Sequence, residues 1–587
     1  MTNTVTTNAQ VAIKINGTAV SAAFMRSLRD VVVDTNLHLP AMFTMRLQDN
    51  DAQWADNSGL LKIGNAVDIA MTAATQGGRS GATGTLIKGE ITALEPIFGT
   101  VGAMVSIIGY CKSHRLHRGK NTKTWLRQKD SAIVSAMAGE VGLRASVDDS
   151  AVTHEYVIQY NQTNWEFLSE RAARIGYRFY VDDQTIYFKE AANSTTAAPD
   201  LSWGDTLRRF QPRLTAAQQS LTAEVRGWNA KTKQAIVATA AASTGELAPV
   251  TGFGATVTSG SSVFGNGTSS TVATPPLLQD YAKKMANAVA NRNSGRSIQA
   301  EGEAIGDPRI VAGKSVKIEG VGTRFGGTYT ITSASHHYDS EGMYLTRFSI
   351  NGQDPATLYA LLPNYDPTAS GREYGVVIGL VTNIQDPDAK GKVKVKFPWL
   401  SDTIESEWAR LASPMAGASR GFMFLPEVND EVLVAFEQGD LTRPYILGAL
   451  WNGKDAPPLG SEVQSGGKVE QRIIKTRVGH QIILTDKAGS ESIKIVDKTG
   501  KNSILIDSVK NDIAIEAEGN ITMTAKGKIT LSAQMDVMIE SKTGKATLKG
   551  TGGVSVQTPA SLELKGSTVQ MQGSGPVTVK GNPIMLN

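Results

Sequence analysis

The sequence predicts a mainly β protein with a minor α/β part: two β-barrels, a small OB-type barrel, and a C-terminal triple-stranded β-helix wound from three chains. Three observations carry that prediction. After Lys487, short apolar-polar-apolar strands recur about every eight residues, as at 513–515, 521–523, 529–531 and 537–539. Two β-rich regions flank a segment with helical period, and a compact all-β block runs from 375 to 451. The alternation of apolar and polar residues is the signature of strands with one buried face.

The N-terminal region, 1–115, holds strand candidates at 11–15, 31–33, 43–47, 67–71 and 105–108, separated by Gly, Asn and Asp turns. A first barrel is the economical arrangement. The next segment, 116–200, is α/β. Asp130 is placed to cap a helix whose Ile133, Val134, Met137 and Val141 share one side, ending at Gly142. Thr163 and Glu166 form a capping box, and Trp165, Leu168, Ala172 and Ile175 make one stripe before Gly176. Strands at 177–181 and 185–188 then form a hairpin. A second barrel is expected over 201–352, interrupted by a Ser/Thr/Gly/Ala-rich surface loop at 238–274 and a helix over 276–293. The proline-bearing stretch 353–374 is a linker, 375–452 has the size and strand count of an OB barrel, and 453–486 is a neck.

The last segment, 487–587, cannot bury its apolar faces within one narrow ribbon. Three copies wound into a prism would turn those faces inward and stack strand edges on one another, making a rigid needle. The positions expected at its axis are Ile513, Ile515, Ile521, Met523, Ile529, Leu531, Val537, Ile539, Val554, Val556, Leu562 and Leu564. The end of such a prism has unpaired backbone and an open apolar core, so Val577, Val579, Ile584 and Leu586 are expected to dock a capping protein.

Composition narrows the class. The chain has 587 residues and a net charge of +4, without the concentrated basic stripe of a dedicated nucleic-acid binder. Cys111 is its only cysteine, so no intrachain disulfide forms. The first ten residues lack a basic and an apolar signal region, and no run is long and apolar enough for a membrane span. Synthesis in the cytoplasm without a signal peptide is the expectation.

Several runs resemble the VgrG and phage tail-spike family. They are 391–399 (GKVKVKFPW), 407–412 (EWARLA), 421–427 (GFMFLPE), 430–436 (DEVLVAF) and 439–444 (GDLTRP), in the order of that family's OB domain. The runs 164–170 and 176–180 are similar to its hub signature, and 306–310, Gly313 and 326–331 to its second hub barrel. The resemblance implies a homotrimeric central spike of a contractile injection system, in a phage tail, a type VI apparatus or an extracellular phage-tail-like particle. Its two hub β-barrels per chain, repeated three times, give six similar positions to mate with an inner tube hexamer. It also implies baseplate partners, a small conical PAAR-like tip protein, effector cargo, and a target membrane to be punctured. An extracellular particle fits the compact tail. The competing classes are a trimeric polysaccharide depolymerase, which needs no tube-adaptor barrels and OB collar upstream of its needle, and a trimeric adhesin, which normally carries an export signal.

No catalytic, cofactor or metal site is expected. Cys111, His114 and His117 have donor atoms suited to a metal. In an extended strand, however, they would not share a face, and Lys112, Arg115 and Arg118 would repel a cation. Of His336 and His337 in a strand, one ring should point in and one out, while His480 sits in a turn before the needle. Glu427, Asp430, Glu431, Glu437 and Asp440 flank strands of the OB block, where a structural role outweighs hydrolysis. Lys390, Lys392, Lys394 and Lys396 are spaced as one solvated strand face, so nucleic acid is not an expected partner. The 452–486 connection is too short for an inserted lysozyme domain, and no fused effector is expected after Asn587.

Overall fold

The computed structural model describes residues 8–57, 59–74, 81–100, 102–182, 184–190, 199–215, 222–241, 268–271, 278–295, 298–351, 371–458 and 464–585. It is mainly β and divides into two compact units, Met1–Ala456 and Pro457–Asn587.

The first unit is built around an eleven-stranded sheet in which every neighbouring pair is antiparallel. Its strands alternate buried and exposed positions: Ala103, Val105, Ile107 and Cys111 of Gly102–Cys111 point inward. The sheet belongs to both β-rich regions at once. Ser333–Asp339 pairs along Leu28–Asn36, from Ser333 opposite Asn36 to Asp339 opposite Asp30, joining the two halves through backbone. One apolar core gathers Phe43, Met45, Trp54, Ile69 and Ile107, and another gathers Leu201, Val316, Tyr329 and Phe348. At the seam His336 is fully buried. Its Nε2 lies 2.9 Å from the Ile310 carbonyl oxygen and its Nδ1 2.7 Å from Tyr344 Oη, while His337 is exposed. Burial holds the His336 ring down to about 4, so it is neutral at pH 7.

The α/β segment carries the capping box read from sequence. Glu166 N donates to Thr163 Oγ1 (3.1 Å) and Thr163 N donates to Glu166 Oε2 (2.8 Å), starting the helix Asn164–Ile175. Gly176 ends it with φ +72, a left-handed conformation, and a Cβ there would sit 3.0 Å from Ala288. Packing crosses position 200, where the sequence reading divides the chain. Trp165, Leu168, Ile186 and Phe188 share one core with Val225, Ile236, Ala238, Tyr281 and Met285. These later residues come from the strands Thr222–Asn229 and Gln234–Ala241 and the helix Gln279–Gly295. The expected 238–274 loop therefore begins as strand, because Ala238 and Ala240 are small enough to pack inward. Thr268–Thr271 pairs in parallel with Thr222–Asn229, and the rest of that loop lies outside the described residues. So do 276–277 of the expected helix, 352 at the end of the expected second barrel and 353–370 of the expected linker.

Asp130 differs from its expected role. It is the first residue of the helix Asp130–Glu140, with Lys129 before it making no side-chain cap. Its carboxylate turns inward instead. Arg171 Nε donates to Asp130 Oδ1 at 2.6 Å, and His154 Nε2 lies 3.1 Å from Oδ2. Arg171 also approaches His154 at 2.8 Å, His154 meets the Tyr281 ring edge-on, and Glu170 pairs with Arg174 one turn away. This buried network joins two helices, a strand and the Gln279–Gly295 helix. Sequence periodicity did not disclose it, because a charged residue at a helix start reads equally well as a cap.

The OB block, 375–452, forms a five-stranded sheet ordered Lys394–Lys396, Val376–Asn383, Glu431–Phe436, Pro444–Ala449 and Arg410–Leu411. Bridges Val393–Ala409 and Lys396–Glu405 link its outer strands, closing the barrel around Val381, Val395, Phe397, Val432, Val434 and Ile446. Ile158 and Tyr160 of the α/β segment pack against that core. Tyr156 Oη donates to the Glu405 carbonyl oxygen at 3.0 Å, and Tyr160 Oη to Glu373 at 3.0 Å.

The second unit begins as an antiparallel meander of Gln471–Lys475, Gln481–Thr485, Ser492–Val496, Ser503–Asp507 and Asp512–Glu516. The ladder thus starts inside the expected neck. Beyond Glu516 the single chain is extended, with bends at 518–519, 526–527, 534–535, 542–544, 551–552, 559–560, 567, 574–575 and 582–583. They fall every eight residues or so, matching the sequence repeat. Among the described residues of this stretch there is no strand pairing within the chain.

Removing the Asp130 charge should unbalance the buried network. Burial by itself would raise that carboxyl, yet the Arg171 charge and the bonds from His154 and Arg171 outweigh it and bring it to about 2. A carboxyl held below its unfolded value lends stability above the unfolded value and loses it as pH falls toward the folded one. Stability of this unit should therefore drop between about pH 4 and about pH 2, and Asp130→Asn should cost about 3–5 kcal/mol at neutral pH by leaving Arg171 unpaired. Urea unfolding of the first unit checks both; a variant with an unshifted midpoint would contradict them.

Candidate functional site

The surface that distinguishes this chain is aliphatic and uncovered. In the second unit's meander, the register places Ile474, Ile482, Ile495, Ile504 and Ile515 in one column across five strands. Leu484, Ile493, Ile506 and Ile513 form a second column beside it. Period-two alternation puts all nine on one face, and cross-strand pairing aligns them. Within one chain these side chains remain 39 % to 71 % exposed. An unbroken face of Ile and Leu has no reason to stay in water, since each side chain gains about 1.5–3 kcal/mol on full burial.

The extended stretch that follows has the same character. Ile521, Met523, Ile529, Leu531, Val537, Ile539, Val554, Val556, Leu562 and Leu564 are all exposed, as are Val577, Val579 and Ile584. Leu586 lies outside the described residues. The sequence reading started its core at Ile513 and missed the seven aliphatic positions upstream. Their signal was present as Ile493-Lys494-Ile495 and Ile504-Leu505-Ile506. The spacing there is eleven residues, from Ile482 to Ile493 to Ile504, and shortens to eight only after Ile513. Ile483 and Leu505 on the opposite face also blur the alternation.

A second apolar patch lies on the OB barrel. The short hairpin Ala416–Gly417 and Arg420–Gly421 carries Met415, Phe422, Met423 and Phe424, all exposed. Tyr374, Val376, Ile378 and Trp399 are exposed as well.

The polar candidates go to separate partners. The segment after Cys111 is the 3-10 helix Lys112–His117, not a continued strand, and in such a helix residues three apart do share a side. Their donors nevertheless diverge. Cys111 is buried 2.9 Å from Ser113 Oγ, and burial pushes its thiol up. His114 Nε2 lies 3.2 Å from Glu90, which also accepts from Arg115 at 3.2 and 2.5 Å. His117 stacks on Trp165 at 4.7 Å, and burial lowers it to about 4. Among the described residues no group of three His, Cys, Asp or Glu side chains is arranged to hold a metal ion.

The OB carboxylates hold turns and neighbours. Asp430 accepts from Glu427 N (2.7 Å), Glu431 from Asn452 (3.1 Å), Glu437 from Arg443 (3.3 Å) and Tyr445 (3.2 Å), and Asp440 from Thr442 (2.7 Å). Lys392 pairs with Asp388 at 2.9 Å, and Lys394 lies 3.7 Å from Glu405, while Val393, Val395 and Phe397 between them point into the barrel. His480 accepts a long bond from Lys498 N at 3.3 Å in a turn of the meander.

Three family matches lie along the chain. Residues 5–340 match the family described as the Alg8 N-terminal domain, 377–451 match the type VI secretion system/phage-baseplate injector OB domain, and 470–575 match an uncharacterized family conserved in bacteria. The type VI secretion system spike protein VgrG1a of Pseudomonas aeruginosa is 30 % identical over 171 residues, 28 % of this chain and 26 % of that protein. The actin cross-linking toxin VgrG1 of Vibrio cholerae is 22 % identical over 433 residues, 68 % of this chain and 37 % of that protein. The matched regions thus span about a quarter to two-fifths of these relatives. In fold, the chain is similar to a structure of the Francisella PdpA-VgrG complex, with a TM-score of 0.53, 9 % identity, and coverage of 88 % of this chain and 81 % of that one.

The two columns make a directional expectation. Ile504→Asp puts a carboxylate in the middle of one column, whereas Lys494→Gln changes the opposite face. The first should lower the resistance of the purified protein to heat and detergent, by several kcal/mol for a charge moved into a dry contact, and the second should leave it within about 0.5 kcal/mol. Equal melting of both variants would contradict burial of this face.

Proposed function

We propose, for a chain that belongs to the family of the Alg8 N-terminal domain and is a VgrG-like spike protein, that it is the homotrimeric central spike and baseplate hub of a contractile injection system. The observation that carries the proposal is the pair of exposed aliphatic columns continuing into an extended stretch without strand partners among the described residues. Three copies supply what one lacks: each covers the others' aliphatic face, and each gives the next a strand edge. Ile513 to Leu564 then line the three-fold axis, and the bends every eight residues become the corners of a prism.

In this reading 1–352 is the hub, with two barrels per chain offering six similar positions to the inner tube hexamer. The segment 353–374 links it to the OB collar at 375–452, 453–486 is the neck, and 487–587 is the needle. The exposed OB patch around Phe422 and Trp399 fits contacts within the collar. Baseplate proteins surround the hub, effector cargo travels with the spike, and the needle punctures the target membrane on firing. The chain acts mechanically, without catalysis. It is made in the bacterial cytoplasm and assembled into a contractile particle released outside the cell.

Light scattering should give about three times the 62.5 kDa chain mass; a monodisperse monomer would overturn the assembly. A second expectation concerns the end of the needle, where Val577, Val579 and Ile584 are exposed. Deleting Gly581 to Asn587 should leave the trimer intact and abolish co-purification of a PAAR-like tip protein. Unchanged retention of that protein would place its dock elsewhere.

A further inference from the structure

Charge along the second unit becomes positive beyond the 518–519 bend. From 457 to 518 the chain has nine lysines and arginines against nine carboxylates, with no net charge. From 519 to 587 it has seven lysines against three carboxylates, a surplus of four positive charges. The described lysines of this distal stretch are exposed. Upstream, Lys501 pairs with Glu518, Lys510 with Asp507, and Arg472 with Asp486. Downstream, Lys565 pairs with Glu563, while Lys526, Lys528, Lys542, Lys545, Lys549 and Lys580 have no carboxylate partner among the described residues. The distal excess is therefore one of available charge as well as of composition.

We propose that the distal shaft is an electrostatic contact surface for an anionic lipid bilayer. The inference rests on the three-chain needle, in which the surplus becomes twelve positive charges. The six unpaired lysines span about seven eight-residue repeats, roughly 30 Å at a strand spacing of about 4.8 Å. That length far exceeds a Debye length of about 8 Å, so the charge is laid out for an extended anionic surface and not for a single pocket.

The residue types argue against a polynucleotide. No Phe, Tyr or Trp occurs from 452 to 587, so no base can stack, and no Arg occurs from 478 onward to grip a phosphate with two bonds. Lysine is a hydrated point charge and needs no geometric match, which suits headgroups that rearrange around it. The same lack of Trp and Tyr removes the side chains that anchor at a bilayer interface. The contact should be attractive at short range, reversible and sensitive to salt, with each lysine near the surface strengthening it about fivefold.

Co-sedimentation of the full chain with vesicles of phosphatidylcholine, alone or with phosphatidylglycerol, tests this directly. Binding to the phosphatidylglycerol vesicles should be at least about tenfold tighter and should vanish between about 0.05 M and about 0.5 M salt. The combined substitutions Lys542→Gln, Lys545→Gln and Lys549→Gln should weaken it at least about tenfold while leaving the mass and melting temperature unchanged. Equal binding to both vesicles, an unaffected variant, or tighter binding to polynucleotide than to phosphatidylglycerol would overturn the proposal. Light scattering on the same samples separates it from the assembly. A trimer that ignores anionic vesicles refutes this inference alone, and a monomer refutes the needle on which it rests.

Discussion

An aliphatic β face with nothing over it is the constraint on which the rest of this structure depends. The nine Ile and Leu side chains of the meander are aligned by strand register, so they form a continuous surface and not scattered exposures. Within the second unit that face is left exposed, and beyond Glu516 there is no strand neighbour among the described residues. Hydrophobic burial and backbone pairing therefore make the same demand, and copies of the same segment meet both at once. The change of spacing from eleven residues to eight fits this account. A meander needs room for strands and turns within one chain, whereas a prism side needs only one short strand per bend.

In the first unit, rigidity comes from different physics. The two β-rich regions are fused through the Ser333–Asp339 and Leu28–Asn36 pairing, so movement between them would break a ladder of backbone hydrogen bonds. Beside that sheet, the Asp130, Arg171 and His154 network ties helices to strands with charges that are buried but matched. Breaking such a network costs more than forming it gains, which makes it a device for holding one arrangement. The Tyr156 and Tyr160 contacts extend that coupling to the OB barrel.

Much of this was legible in the sequence because it is local or periodic. The Thr163 and Glu166 capping box, the left-handed turn at Gly176, the inward and outward His336 and His337 pair, and the alternating Val393, Val395 and Phe397 all follow from spacing alone. Long-range pairing was not. The seam strand is some three hundred residues from its partner, and the helix Gln279–Gly295 joins a core begun at Leu116, neither of which leaves a periodic trace. Asp130 was misread for the same reason, since its partner Arg171 lies forty-one positions away. The 3-10 turn after Cys111 was taken for strand, yet its side chains still found separate partners. Upstream columns escaped notice because an eight-residue template cannot detect an eleven-residue spacing.

The central claim is that the aliphatic groups from 471 to 585, and the backbone beyond Glu516, are satisfied by other copies of the chain. Hydrogen exchange of the purified, assembled protein measures that satisfaction amide by amide. The account predicts that amides from 519 to 585, which lack strand partners within a single chain, exchange as slowly as those of the Gly102–Cys111 strand in the hub sheet. A correctly sized trimer whose 519–585 amides exchange at the rate of an open chain would contradict it.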